Sequence, residues 1–84
     1  MSPREEAERL KSAEDALALQ DVGGARLILE YLARRGSAEG AYRLARSHDP
    51  ELTRGAGNAA LAAQWYAKAA ELGHAAALSK VGAR

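Results

Sequence analysis

An internal repeat with a period of 37 residues constrains the fold of this chain more than any other feature of its sequence. In both copies, apolar residues lie at positions i, i+3, i+4 and i+7, the spacing of one face of an α-helix. Periods of this length with two helices per unit are typical of helical solenoids, whose units cannot bury their apolar faces alone. The aligned pairs are Ala25 with Ala62, Ile28 with Trp65, Leu32 with Ala69, Ala33 with Ala70, Gly36 with Gly73, Ala38 with Ala75, and Leu44 with Val81.

Helix start and stop signals divide the chain into five helices, at about residues 3–20, 22–35, 38–48, 58–72 and 74–83. Gly23–Gly24 is expected to let the chain reverse after the first helix, and Gly36 and Gly73 suit left-handed C-terminal caps. No segment alternates as a strand does, so residues 1–84 are predicted to form a single all-α domain. The predicted N-terminal caps are Ser2, Asp21, Ser37 and Asn58.

The apolar residues of this chain are mostly small. Alanine accounts for 21 of the 40 hydrophobic residues, and only 14 residues are Leu, Ile or Val. Alanine favours helix and lets helices approach closely, whereas larger side chains supply most of the burial energy. The composition therefore predicts closely packed helices around a thin core, with Leu10 and Leu17 on the inward stripe of the first helix.

Charge and cysteine content exclude several classes of protein. The net charge is +1, which gives no global attraction to nucleic acid or anionic lipid, and the absence of cysteine excludes disulfides and thiolate sites. No apolar run approaches the roughly 18 residues of a membrane span, and the charged N-terminus is unlike a signal segment. We therefore expect a cytoplasmic chain.

Residues 62–77, Ala-Ala-Gln-Trp-Tyr-Ala-Lys-Ala-Ala-Glu-Leu-Gly-His-Ala-Ala-Ala, resemble the signature of the Sel-one-like repeat, a relative of the tetratricopeptide repeat. That family favours a Trp-Tyr pair, a basic residue, the run Ala-Ala-Glu, and a Gly before a small polar residue that opens the next helix. Residues 21–48 match less closely, because Ile28 replaces the Trp and Arg34–Arg35 replaces the Ala-Glu. The loop that contains Asp49–Pro50 is also shorter than is typical.

The resemblance implies a right-handed α-α hairpin repeat, a tetratricopeptide-like superhelix. By this resemblance, helix 3–20 pairs with 22–35 and helix 38–48 with 58–72, and the fifth helix is the first half of a third unit. Family members are described as adaptors or scaffolds, often in bacterial signalling or envelope processes, and they share no catalytic residues. We therefore expect a protein-binding module that is not an enzyme and uses no cofactor.

The candidate partner-binding residues are Tyr42, Arg43 and Arg46, which lie on one face of the third helix. In the family's arrangement this helix class lines the concave surface, where guanidinium groups could pair with an acidic peptide. The alternative is that these arginines form an ordinary solvated face. Six arginines concentrate in the middle third of the chain: Arg26, Arg34, Arg35, Arg43, Arg46 and Arg54.

Self-association is the competing interpretation of this module. Ala77, Leu78 and Val81 of the fifth helix are expected to form an apolar strip that a second copy could cover, giving a homodimer. Nucleic-acid binding would depend on the arginines alone, and the near-neutral charge and few aromatics argue against it.

Several residues that could suggest other functions are more simply explained by structural roles. His48 and His74 lie too far apart for a metal pair, and Trp65 and Tyr66 are expected to form a packing seam between hairpins. The sequence His48-Asp49-Pro50 is read as a helix stop, with Asp49 bonding local backbone.

Overall fold

The computed structural model describes residues 1–53, 55 and 57–82, and within these residues every regular element is a helix. This confirms the all-α prediction and the number of helices. The first helix ends two residues earlier than predicted, and residue 83, the predicted end of the fifth helix, lies outside the described residues. The helices are α1 (Pro3–Ala18), α2 (Val22–Arg34), α3 (Ala38–His48), α4 (Ala59–Glu71) and α5 (Ala75–Gly82).

A polar side chain caps the start of each helix. At the first four helices the cap oxygen accepts a hydrogen bond of 2.9 to 3.1 Å from the backbone N–H three residues later. These caps, predicted from the sequence, are Ser2, Asp21, Ser37 and Asn58. At α5, Nδ1 of His74 accepts a bond of 3.3 Å from the Ala77 N–H. Each cap satisfies a donor that the first helical turn leaves without a partner.

The turns after α2 and α4 repeat the same geometry one period apart. Gly36 and Gly73 have φ values of 92° and 90°, in the left-handed region that glycine adopts without steric cost. The N–H of each glycine bonds to the carbonyl three residues earlier, at 3.0 and 2.9 Å. The following N–H groups, of Ser37 and His74, bond five residues back at 2.9 and 3.0 Å. These left-handed caps confirm the predictions for both glycines.

The turn between α1 and α2 does not use the predicted glycines. Gln20 takes the left-handed conformation there, with φ of 62°, and the N–H of Asp21 bonds to the Ala16 carbonyl at 2.8 Å. Gly23 and Gly24 lie in the first turn of α2, because the Asp21 cap starts that helix at Val22. A Cβ at Gly24 would lie 2.2 Å from Oδ2 of Asp21, so glycine at that position makes room for the cap.

The core is thin and rich in alanine, as its composition predicts. Leu29, Leu32 and Leu44 are its largest fully buried side chains. A second cluster, which we call the alanine seam, lies where four helices meet and consists of Ala33, Ala41, Ala69 and Ala77. Each of these alanines is 0% exposed. Small side chains allow such close approach, because little volume separates the backbones.

Each helix packs mainly on the next helix in the chain, so that α1 contacts α2, α2 contacts α3, α3 contacts α4, and α4 contacts α5. Polar contacts also join the odd-numbered helices directly. Ser37, at the start of α3, donates a hydrogen bond of 2.5 Å to Glu6 of α1, and His74, at the start of α5, contacts Glu39 of α3 at 2.7 Å. Polar contacts therefore connect α3 to both α1 and α5.

Candidate functional site

An open groove of about 450 Å³ lies between the end of α1, the start of α2, the exposed face of α3 and the loop that follows α3. We call it the α1–α3 groove. Helix α3 contributes residues spaced by one and two helical turns, so their side chains point the same way. The groove is lined by Leu17, Val22, Glu39, Arg43, Arg46, Ser47, Leu52 and Thr53.

Three large apolar side chains in the groove are exposed to solvent. Leu17 is 42% exposed, Val22 37% and Leu52 51%. The sequence placed Leu17 on the buried stripe of α1, and that prediction is wrong, because the last turn of α1 borders the open groove. Exposed apolar groups that share one concave surface are characteristic of binding sites rather than of ordinary surface.

Arg43 is held by carboxylates of two helices. Its Nε lies 2.6 Å from Oε2 of Glu39, one turn earlier on α3, and its Nη1 lies 3.5 Å from Oε2 of Glu14 on α1. The side chain is 33% exposed, so its guanidinium still borders the groove. Arg43 therefore links α1 to α3 and presents only part of its donor set to a ligand.

Arg46 is exposed and is less constrained than Arg43. Its guanidinium carbon lies 5.9 Å from the centroid of the Tyr42 ring, within the range of a cation–π contact. Across residues 1–53, 55 and 57–82, no carboxylate forms an ion pair with it. Arg46 is thus the guanidinium in the groove with the most donors to offer an incoming carboxylate.

Tyr42, predicted as a partner-binding residue, is used in packing. Its ring stacks on His74, with centroids 4.1 Å apart and an interplanar angle of 15°, and it lies 5.8 Å from the ring of Tyr66. Tyr42 is half-buried and does not line the groove. Its contribution to the candidate site is indirect, through the cation–π contact that supports Arg46.

Glu39 connects the groove to the start of α5. One carboxylate oxygen accepts from Arg43, and the other lies 2.7 Å from Nε2 of His74. Because Nδ1 of His74 accepts the Ala77 N–H, the Nε2 atom is the one that donates to Glu39. Burial would raise the pKa of Glu39, but the hydrogen bonds from Arg43 and His74 outweigh it and hold the pKa below its ordinary value.

Asp49 is a buried junction between α3, α4 and α5. Its Oδ2 accepts 2.7 Å from the Tyr66 hydroxyl and lies 3.1 Å from the Lys80 ammonium, while Oδ1 accepts 2.9 Å from the Glu51 N–H. The hydrogen bond from the Glu51 N–H confirms the prediction that Asp49 bonds to local backbone. The Tyr66 hydroxyl bond, with the Glu51 N–H and Lys80, holds the pKa of Asp49 below its usual range despite burial.

Sequence reasoning missed the longer-range contacts of Asp49, because Tyr66 and Lys80 follow it by 17 and 31 residues. Burial, followed by the bond to Asp49, raises the pKa of Tyr66 above its ordinary value. Tyr66 is 5% exposed and Trp65 is half-buried against the cluster that includes Tyr66, which confirms that both residues pack in the core.

The predicted self-association strip does not form one exposed surface. Ala77 is 0% exposed within the alanine seam, and Val81 is half-buried against the cluster that includes Tyr66. Only Leu78 faces solvent, at 52% exposure. The strip was predicted on the wrong side of α5, because α3 and α4 cover the side that carries Ala77.

His48 and His74 have different structural surroundings. His48 lies at the end of α3, where burial and the nearby Arg26 lower its pKa. Within the part of the chain that the structure describes, no group of three His, Cys, Asp or Glu side chains is placed to hold a metal ion, and no helix could cross a membrane. Arg54, named in the arginine cluster, lies outside the described residues.

Comparison of the chain with known protein families, with curated proteins and with solved structures gives no match.

Proposed function

We propose that this chain is a non-catalytic protein-interaction module, and that it binds an acidic segment of another protein in the α1–α3 groove. One observation carries the proposal: the exposed Arg46 shares this groove with three exposed apolar side chains. A peptide that presents a carboxylate beside an apolar side chain would satisfy both kinds of group at once. Guanidinium groups can bind carboxylates through two parallel hydrogen bonds, which gives such a contact direction as well as strength.

The same proposal assigns the chain to the tetratricopeptide-like helical repeats, in the manner of the Sel-one-like family. Two observations support it. The glycine turns after α2 and α4 have the same hydrogen bonds one period apart, and polar contacts connect α3 to both α1 and α5. In such an arrangement α3 occupies the middle of the odd-numbered layer, so a ligand in the groove contacts the centre of that layer.

The ion pairs of Arg43 set how a ligand would bind. Its contact with Glu14 is long, at 3.5 Å, and the Glu14 side chain is 61% exposed. Exposed pairs of this kind contribute only about 0 to 1 kcal/mol, so a ligand carboxylate can replace Glu14 at little cost. The contact with Glu39 is shorter and is retained. The ligand would therefore pair with Arg46 first and with the outer donors of Arg43 second.

Selection from a library of displayed random peptides on the immobilised chain tests this function. We expect the enriched peptides to combine Asp or Glu with Leu, Ile or Phe, and we expect Arg46→Glu to abolish the enrichment. Arg34→Glu is the matched control, because it makes the same charge change at an arginine of α2 whose side chain is 71% exposed and lies outside the groove. Circular dichroism of both variants verifies that they remain folded.

A synthetic copy of an enriched peptide then gives the affinity by fluorescence anisotropy. Binding to the chain should weaken several-fold between low and high salt, because the contact is partly ionic, yet persist because it is partly apolar. Equal enrichment on Arg46→Glu and on the unaltered chain would sink the proposed site. Tight binding of a single-stranded oligonucleotide with a steep salt dependence would instead favour nucleic acid.

A further inference from the structure

Helices α3 and α5 start at equivalent places in the repeat. Ser37 precedes α3 and His74 precedes α5, one period of 37 residues later, and we call these two places the Ser37 joint and the His74 joint. The Ser37 hydroxyl accepts a hydrogen bond of 2.9 Å from the Gly40 N–H and donates one of 2.5 Å to Glu6 of α1. One side chain therefore caps α3 and also connects it to α1.

His74 makes the same two kinds of contact with different atoms. Its Nδ1 accepts a hydrogen bond of 3.3 Å from the Ala77 N–H, and its Nε2 lies 2.7 Å from Oε1 of Glu39 on α3. Both bonds form together only when the ring is neutral and carries its proton on Nε2. A hydroxyl keeps its donor and its acceptor at any ordinary pH, whereas an imidazole loses its acceptor when it gains a second proton. The two joints therefore differ in that the cap of the second one can be protonated.

The His74 ring is held by contacts that a second proton does not weaken. It stacks on Tyr42 with centroids 4.1 Å apart, and its side chain is only 16% exposed. Burial would raise the pKa of Glu39, but hydrogen bonds from Arg43 and His74 hold it below its ordinary value, so the carboxylate stays ionised. An imidazolium binds a carboxylate more strongly than a neutral ring does. The ring therefore stays in place, and the Ala77 N–H is the group that must move away.

The charged groups that face His74 explain which contact is lost. Glu39 faces Nε2, and its other oxygen lies 2.6 Å from Arg43, which is also 3.5 Å from Glu14 of α1. In the part of the chain that the structure describes, no other carboxylate forms an ion pair with His74. Helix α4 contributes the Ala69 carbonyl, which accepts the His74 N–H at 3.0 Å. The Nδ1 side faces the start of α5, where the helix dipole disfavours a positive charge.

We propose that the His74 joint is a pH-sensitive switch, in which protonation of the ring releases the first turn of α5 while Glu39 keeps hold of His74. In the neutral state the ring caps α5 and connects it to α3. In the protonated state only the connection to α3 remains. The Ser37 joint has no such second state. This switch needs no ligand in the α1–α3 groove, so it stands or fails separately from the proposed function.

Nuclear magnetic resonance of the chain from about pH 8 to about pH 5, the range in which histidines change charge, tests the switch. At the upper end, the imidazole nitrogen shifts of His74 should identify the tautomer with its proton on Nε2. As the ring gains its second proton, the Ala77 amide resonance should shift with the same midpoint, and the helical Cα shifts of α5 should decrease. Hydrogen exchange of the Ala77 amide, relative to its intrinsic rate at each pH, should accelerate about fivefold, the usual contribution of a capping side chain.

The repeat supplies two matched controls. The Gly40 amide is the internal control, because Ser37 caps it and does not titrate in this range. His74→Ser copies the first joint and should remove the pH dependence at Ala77. His48 is the only other histidine of the chain and is retained in this variant, so an effect that came from His48 would persist.

Three results would overturn the proposal. A proton on Nδ1 at about pH 8 would mean that His74 does not cap α5. An Ala77 amide that does not follow the titration of His74 would mean that the first turn of α5 holds without its cap. An equal response at Gly40, or a response at Ala77 that persists in His74→Ser, would place the titrating group elsewhere.

Discussion

Replacing Asp49 with alanine removes the carboxylate that joins three helices. The Tyr66 hydroxyl loses its 2.7 Å acceptor inside the protein, the Glu51 N–H loses its partner, and Lys80 loses its ion pair. A hydrogen bond to a charged group is worth roughly 1.5 to 3 kcal/mol, and leaving a buried hydroxyl unsatisfied costs about 1 to 3 kcal/mol. These contributions overlap, so we expect Asp49→Ala to lower the free energy of unfolding by about 3 kcal/mol.

Urea denaturation at pH 7, followed by far-ultraviolet circular dichroism, measures this loss. Tyr66→Phe removes the hydroxyl alone and should cost about 1 to 2 kcal/mol, because Asp49 keeps its other two partners. The double variant should cost clearly less than the sum of the two single changes, since both remove the same bond. Glu51→Ala is the control: its carboxylate lies 3.9 Å from the same lysine and is 83% exposed, so it should have little effect.

Two results would refute the reasoning about Asp49. A loss below about 1 kcal/mol would mean that the buried network contributes no more than a surface contact. Additivity within about 0.3 kcal/mol would mean that the Asp49–Tyr66 bond is not what holds the helices together.

Two further predictions concern the first turn and the pH dependence of stability. Gln20→Gly should raise the free energy of unfolding by about 0.5 to 1 kcal/mol, because glycine adopts the left-handed conformation of this residue without steric strain. Leu19→Gly, at φ of −89°, should lower it. Thermal melts that rank the two variants in the opposite order would contradict this reasoning. Because the pKa values of Asp49 and Glu39 are lowered in the folded protein, both carboxylates stabilise it at pH values above their ordinary pKa. The free energy of unfolding should therefore fall as the pH drops below about 4. The raised pKa of Tyr66 has the opposite sign, so stability should also fall above about pH 10, and a flat profile from pH 3 to 11 would contradict both assignments.

Local signals made the helices predictable. The hydrogen bonds of the capping residues and of the two glycine turns join residues no more than five positions apart. The structure agrees with the predictions at Ser37, Gly36, Asn58 and Gly73. The turn at Gln20 was missed because glycine is the usual residue for that conformation and two glycines lay nearby. The cap at Asp21 fixed where α2 begins, and the residue before it had to take the left-handed turn.

The arrangement of the site was less predictable than its residues. Arg43 and Arg46 could be placed on one face of α3 from helical spacing alone, but spacing does not reveal that Glu14 of α1 would reach Arg43. The side of α5 that faces inward depends on how α3 and α4 cross, which is why Ala77 is buried and Leu78 exposed. Tertiary packing decides which side of a helix faces inward. Helical periodicity reduces the number of alternatives but does not select one of them.

The carboxylate of Glu39 has a thermodynamic consequence for this module. One of its oxygens binds Arg43 at the edge of the groove, and the other binds His74, the residue that caps α5. We expect a ligand carboxylate on the outer donors of Arg43 to share the guanidinium charge with Glu39, whose contact with Arg43 is retained, and so to change how strongly Glu39 holds His74. Linkage makes this effect reciprocal, so whatever tightens or loosens the start of α5 must alter ligand affinity at the groove by the same factor.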